Sequence, residues 1–367
     1  MTGPEPRAHE TIDSALRRVD LAAGPADLFG PLPEDGRVPS AATAAYRRLA
    51  RRLHPDTAPA EHRVAAARGF IRLTDSWRRY RDAVHGGPGL NDLVLTTEER
   101  TYHVDRGRPL AEGDIADLRA ARYRDGDRWR DAVLKLPRAP RDNDLLRAEA
   151  TALRRVRERG ERRYRAFAPP LIGTLRHRDP TTRVERHGNL LGRLSGFHDL
   201  AEVRRAYPDG IDARDAAWMW RRLLVAIGNA HRAGVVHGAV VPEHVLIHPE
   251  KHGLVLVDWC YSVTFDATRR APHVPAMVPR REETYPPEVA DRRPALPAID
   301  VYMATKCVEF VTAGRLPRRL SALARGCSLP APRRRPSDAF ALLGELDDAL
   351  ERSFGPRRFR PFHMPTP

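Results

Sequence analysis

The clearest periodicity in the chain lies between Ser40 and Leu53. There Ala42, Tyr46, Leu49 and Leu53 recur at steps of four, three and four. That spacing puts all four on one face of an α-helix. Arg47, Arg48, Arg51 and Arg52 fall on the opposite side. Pro39-Ser40 is the start signal, with Ser40 as the expected N-cap. Ala66, Phe70, Leu73, Trp77, Tyr80 and Val84 repeat the same steps and predict a second amphipathic helix. His54-Pro55-Asp56 stands between the two. Helices with apolar stripes joined by a short proline-containing loop are expected to pack as an antiparallel hairpin. Residues 1–25, rich in Gly, Pro and charge, are expected to be disordered, with at most one short helix around Asp13 to Val19.

Beyond the linker signal Gly86-Gly87-Pro88-Gly89 the pattern changes. Short apolar alternations at Leu93 to Thr97, Tyr102 to Val104, Asp117 to Tyr123 and Ala132 to Leu136 predict strands. Asp142 to Val156 then reads as a helix with Leu145, Glu149, Ala152 and Val156 on one stripe. A carboxylate on an apolar face needs a cationic partner. Lys135, on the preceding strand, is the candidate for Glu149. Arg214 to Ala233 predicts a long helix that stops at Gly234. The apolar strand Leu254 to Val257 runs into Asp258-Trp259-Cys260. Trp259 reads as core.

Composition sharpens this picture. A length of 367 residues accommodates two or three domains, and 41% apolar with 30% charged residues suits a soluble globular chain. No apolar run approaches a membrane span, and no signal peptide is evident. Three widely separated cysteines, Cys260, Cys307 and Cys327, suggest neither a disulfide framework nor a zinc site, so a reducing cytoplasm is expected. The net charge of +15 invites a nucleic-acid reading. Yet Lys occurs only at 135, 251 and 306, and the Arg residues run along the whole chain. Such a bias towards Arg argues against a dedicated nucleic-acid function. It also marks Lys135 as a cation kept for chemistry that a broad guanidinium cannot do.

The stretch YRRLARRLHPDTAP followed by FIRLTDSWRRY resembles the J-domain of DnaJ-type co-chaperones. Those domains carry an HPD tripeptide between a basic helix and an apolar one. The resemblance implies a J-domain over residues 26–86, with Asp27-Leu28-Phe29 as the remnant of its first helix. It implies that His54, Pro55 and Asp56 trigger ATP hydrolysis by a DnaK-type chaperone. Arg47, Arg48, Arg51 and Arg52 would be docking charges for an acidic partner surface.

Residues 92–355, after a linker at 87–91, resemble the protein-kinase fold. The markers run in order: Lys135, Glu149, His237 to His244, Asp258, Tyr285-Pro286-Pro287-Glu288, Asp300 and Arg335. The implied fold class is α+β multidomain, a small all-α unit followed by a bilobal kinase-like fold, with a Pro/Arg tail over 356–367. Glu288 with Arg335 is the implied structural ion pair. Asp300 is implied to brace the loop that begins at His237. The catalytic groups are not retained. Gly238, Ala239, Val241 and His244 stand where kinases carry Arg, the catalytic Asp, Lys and Asn. Ala239 has no proton acceptor. His244 is a poor ligand for Mg²⁺. The glycine loop is reduced to Gly113 between Glu112 and Asp114. Lys135, Glu149, Gly113 and Asp258 would hold ATP with Mg²⁺ if nucleotide binding persists, with Asp258 and His244 as the candidate metal ligands. Alternatively, Lys135 and Glu149 form only a buried structural pair. Both readings stay open at this point.

Three functions follow for the whole chain. In the first, a co-chaperone recruits a DnaK-type ATPase, and its pseudokinase unit binds a client or partner of unknown identity. The others are an atypical kinase and an Arg-rich nucleic-acid scaffold. No membrane association is expected.

Overall fold

The computed structural model describes residues 11–33, 36–85, 92–97, 99–107, 109–178, 183–266 and 271–365. The chain is mixed α and β with antiparallel strands. It divides into two compact units. The first comprises residues up to Leu110 together with Arg119–Asp131; the second comprises Ala111–Leu118 and Ala132 onward. The expected linker at 87–91 lies outside the described residues.

Four helices open the first unit: α1 (Ile12–Leu21), α2 (Pro25–Phe29), α3 (Ser40–Leu53) and α4 (Arg63–Val84). The two predicted amphipathic helices are α3 and α4, with Leu49, Leu53, Leu73 and Tyr80 fully buried between them and their neighbours. Ser40 is the first helical residue and not the cap. Pro39 holds the N-cap position, and its carbonyl accepts from Thr43 N at 3.1 Å. A proline there removes no donor the helix needs. The short helix allowed around Asp13 to Val19 is α1, longer than expected and packed where poor order was expected. Ala15 and Val19 are buried, and Thr11 caps the helix by accepting from Ser14 N. Gly69 makes room for α1, since a Cβ there would meet Leu16 Cδ2 at 2.8 Å. Aromatic contacts fix α2: Phe29 lies edge-on to Trp77 at 5.0 Å, and Trp77 stacks on Tyr46 at 4.8 Å.

The same unit holds β1 (Leu93–Thr96) and β2 (Thr101–Val104), paired Leu93 to Val104 through Thr96 to Thr101. The domain division therefore does not fall at the glycine linker. Strand β3 (Ala111–Glu112) belongs to the second unit. Strands β4 (Ala116–Asp125) and β5 (Arg128–Pro137) form a long hairpin whose tip is in the first unit and whose base is in the second. Within the first, β2 pairs with the tip of β4, Tyr102 opposite Tyr123.

In the second unit the base of β5 pairs with β7 (Glu185–Gly192), which pairs in turn with β6 (Leu171–Arg178). Helix α5 (Asn143–Arg159) precedes them in sequence and packs on both strands. The chain continues through β8 (His198–Asp199), α6 (Leu200–Ala206), α7 (Ala213–Arg232), β9 (Val235–Val236), β10 (Val245–His248), β11 (Gly253–Leu256) and β12 (Val263–Thr264). It ends with α8 (Pro287–Ala290), α9 (Pro297–Val311), α10 (Arg318–Cys327) and α11 (Ala339–Phe354). Helix α7 is the central rod, packed by α9 and α11. Trp220, Leu223, Leu224 and Ile227 on α7 are buried. The Pro/Arg tail docks on this unit. Phe362 is buried, Arg360 pairs with Asp215 at 3.0 Å, and Phe359 stacks on His252. Among the described residues no helix is long and apolar enough to cross a membrane.

Candidate functional site

Two groups of residues carry the candidate chemistry, one in each unit. The first is the turn after α3. His54 is the C-cap of that helix. Its ring lies edge-on to Phe70 of α4, with centroids 5.2 Å apart. That contact ties the turn to the hairpin. Thr57 closes it by donating from its amide to His54 O at 3.1 Å. Asp56 points outward with 84% of its side chain exposed, and its nearest oxygen is 3.7 Å from His54 Nδ1. Pro55 is half-buried. Arg47, Arg48, Arg51 and Arg52 are all exposed along α3, on the face away from the core. The turn therefore presents unsaturated polar groups on a rigid support, beside a row of positive charge.

The second group lies where β5, α5 and the end of β11 converge. Lys135 is 3% exposed, and Glu149 is fully buried. Lys135 Nζ donates to Glu149 Oε1 at 3.0 Å, Asp258 Oδ1 at 2.9 Å and Cys260 Sγ at 3.2 Å. An ammonium has three donors, so all are used. The far oxygen of Glu149 accepts from Asn189 Nδ2 at 2.8 Å. The remaining Glu149 contact is the Trp259 amide, at 3.3 Å. Burial works against the charge on Lys135, but Asp258, the Cys260 sulfur and Glu149 hold its pKa well above the ordinary lysine value. Burial alone would push the Asp258 carboxyl up. The Lys135 ammonium, helped by His244, holds it well below the usual carboxylate range. Burial and Glu149 keep the Cys260 thiol protonated, with its pKa raised well above the ordinary value.

Asp258 has left-handed backbone geometry, φ 60° and ψ 65°. A non-glycine residue held there needs its surroundings to fix it, and the Lys135 contact does so. Glu149, Asp258 and Cys260 bring three potential ligand atoms within 4.8 Å of one another. Lys135 Nζ bonds to all three and is itself the cation of the cluster. One quarter of the Asp258 side chain remains exposed, and its second oxygen lies 3.5 Å from His244 Nε2. The His244 Nδ1 shares a hydrogen with Ala239 O at 2.8 Å.

Asp300 organises the loop between β9 and β10. Its carboxylate accepts from His237 N at 2.8 Å and Gly238 N at 2.9 Å, and meets His231 Nε2 at 2.8 Å. His237 is fully buried, and burial pushes its imidazole down to about 4 against the pull of Asp300. Ala239, Val240 and Val241 are all fully buried. Gly238 has φ +75°, and a Cβ there would meet Tyr261 O at 2.7 Å and Val274 at 3.3 Å. The chain around Val274 and Val278 thus lies over the loop as part of the same apolar core. Arg335 and Glu288 form a two-pronged buried ion pair, at 2.6 and 2.8 Å.

Gly113 lies in the turn that joins β3 to β4. Its amide donates to Ala116 O at 2.9 Å, and the flanking Glu112 pairs with Arg138. That turn's amide is therefore already occupied. Sequence reasoning missed Asn189, Cys260 and the Glu243–Arg281 ion pair. Only Asn189 had a local signal, a polar residue beside Leu190 and Leu191 in a strand. No protein-family model matches the chain, and no curated protein matches it either.

Proposed function

We propose that the protein is a J-domain co-chaperone whose second unit is a kinase-like fold without phosphoryl-transfer activity, serving as a binding module for a client or partner. On this reading it works in the cytoplasm beside a DnaK-type ATPase. The observation that carries the proposal is the placement of His54-Pro55-Asp56. The tripeptide closes the α3–α4 hairpin, holds Asp56 outward beside a half-buried His54 and Pro55, and stands at the end of the exposed Arg47, Arg48, Arg51 and Arg52 row. A positive row steers an acidic partner surface by long-range attraction that weakens with salt.

The kinase-like reading rests on the joint positions of Lys135, Glu149, Asp258, Asp300, Glu288 and Arg335. The absence of transfer chemistry rests on the loop after β9. Ala239 offers no acceptor, and the loop is sealed in apolar core. ATP with Mg²⁺ does not fit these side chains as arranged. Lys135 has no donor left for a phosphate, and the group beside Asp258 is an imidazole, where Mg²⁺ prefers hard oxygens.

The test is single-turnover ATP hydrolysis by a DnaK-type chaperone with the full chain added. Wild-type protein is expected to accelerate hydrolysis, and His54→Gln to abolish the acceleration with unchanged helicity. Equal acceleration by the variant would defeat the proposal.

A further inference from the structure

The Arg residues look evenly scattered in sequence, but the second unit gathers some of them. Helix α5 turns Arg147 and Arg154, seven residues apart, to one exposed side. Arg154 Nη2 donates to Thr174 Oγ1 at 3.3 Å and so reaches strand β6. Thr174, Arg176 and Arg178 alternate along β6 and share one face of it, all exposed. In register across β7 stand Asn189, His187 and Glu185. Asn189 binds Leu146 O of α5, which shows that this face is the α5 side. At the other end of α5, Arg165 Nε donates to Arg157 O at 3.1 Å and brings the 162–167 turn alongside. Arg157 and Arg165 are exposed.

The result is a set of six exposed guanidinium groups along α5, the neighbouring face of β6 and the following turn: Arg178, Arg176, Arg147, Arg154, Arg157 and Arg165. None of the six has an ion pair among the described residues. Of the nearby carboxylates, Glu185 is held by His187 at 3.1 Å, and Glu161 is held by Arg163 at 2.8 Å. Asp144 and Glu158 are the exposed acids on the helix itself, and Glu185 stands opposite Arg178 in the sheet, so the six guanidiniums outnumber the acids among them. The β6 segment of the set, Thr174 to Arg178, is about 13 Å long at the usual rise per residue.

We propose that this set binds the phosphate backbone of a nucleic acid. Guanidinium forks match phosphate oxygens two at a time. A protein partner without an acidic surface would need buried aromatic or apolar anchors, and an interfacial membrane contact would need apolar side chains to insert. The exposed large apolar residues are Leu21, Leu32, Val64, Ile71, Val94, Leu110, Leu296 and Phe359, and none lies on α5, on β6 or in the intervening turn. What remains is charge alone, the condition for sequence-independent backbone binding. The plain alternative is that Arg176 and Arg178 only protect an edge strand from pairing with other chains.

Fluorescence anisotropy of the full chain with a labelled mixed-sequence single-stranded RNA, and with a DNA duplex, separates these. Both probes are expected to bind. For the duplex, log K should fall against log salt with a slope of about −0.9 for each phosphate engaged. Arg154→Ala/Arg176→Ala/Arg178→Ala is expected to weaken binding at least about tenfold and to make the slope shallower by about three phosphates. Arg318→Ala/Arg319→Ala, two exposed arginines at the start of α10, should leave the slope unchanged. Unaltered binding by the triple variant overturns the proposal. Equal or tighter binding of polyglutamate or anionic vesicles through the same three residues also overturns it. Hydrogen exchange of the wild-type chain with and without RNA guards against a misfolded variant. Protection is expected over α5 and β6, and its absence there would be equally decisive against the proposal.

Discussion

The turn after α3 and the cluster around Lys135 use similar side chains to opposite ends. At the turn, Asp56 is exposed, His54 is half-buried 3.7 Å from it, and the Asp56 carboxylate has no hydrogen-bond partner at that distance. At the cluster every donor of Lys135 is taken, and Glu149 has a partner for each oxygen. Exposed polar groups cost little to hold and remain available to a partner. Buried ones must be satisfied internally, because each orphan costs its desolvation. A saturated buried cluster is therefore a structural device, whereas on the proposed function the more open turn is a contact device. Mutations should separate the two: the cluster should govern stability, and the turn should govern activity.

The largest effect is expected at Lys135. Lys135→Met removes the cation between Glu149 and Asp258 and strands two carboxylates. Breaking a buried pair by deleting one partner typically costs about 3–5 kcal/mol. Chemical denaturation should show a loss in that range for the second unit. Adding Glu149→Gln to Lys135→Met should recover part of it, because the two residues are coupled. Lys135→Arg should also destabilise, since three contacts within 3.2 Å leave no room for a fork. If Lys135→Met and Glu149→Gln were strictly additive, the cluster would not be the coupled unit described above.

Next in size is a dependence on pH. Burial depresses the folded-state pKa of His237 to about 4, whereas an unfolded histidine titrates near 6.5. The unfolded chain therefore takes up a proton first. The contribution of this group is fully present above about pH 6.5 and is lost as pH falls towards 4, a total of about 3 kcal/mol. The depressed carboxyl of Asp258 adds a loss of the same sign at lower pH. The raised pKa of Lys135 acts at the other extreme: its stabilisation is present below the ordinary lysine pKa and is lost as pH rises beyond it. Urea titrations across the acid range check the first term. His237→Gln should flatten the dependence between about pH 6.5 and pH 4, and an unchanged slope in that variant would exclude His237 as its source.

Periodicity made the hairpin legible. Ala42, Leu49 and Leu53 lie on the buried face of α3, and the helix has the expected limits. The same signal was present in α1, where Ile12, Ala15, Leu16 and Val19 recur at helical steps. It supported a short helix there, but composition and a terminal position hid its packing, which depends on contacts with α3 and α4. The Lys135–Glu149 pair was readable because strand and helix are neighbours in sequence. The contacts from Lys135 to Asp258 and Cys260 span more than 120 residues, and no spacing rule links them. Burial of Ala239 to Val241 was hidden for a related reason, since partners of this loop such as Cys307, whose Sγ reaches Val240 O at 3.4 Å, arrive from later segments. The arginine set was hidden because it depends on the register of β6 against β7, which a bulge between Leu171 and Gly173 sets.

The smallest expected change in stability is at Asp56, and it gives the comparison its sharpest form. The Asp56 carboxylate is solvent-exposed. Its 3.7 Å separation from His54 Nδ1 is too long for a hydrogen bond, and the Asp56 amide reaches the same ring only at 3.4 Å. Surface substitutions of this kind usually shift stability by no more than about 0.5 kcal/mol. Asp56→Asn keeps the size and removes the charge, so thermal and urea unfolding should be indistinguishable from wild type. Stimulation of a DnaK-type ATPase should nonetheless be lost, as for His54→Gln. A variant that unfolds more readily would mean the turn has a structural role like that of the Lys135 cluster. A variant that keeps both stability and stimulation would mean that the contact is carried by the α3 arginines alone. Only loss of stimulation at unchanged stability fits a turn whose polar groups are held out for a partner.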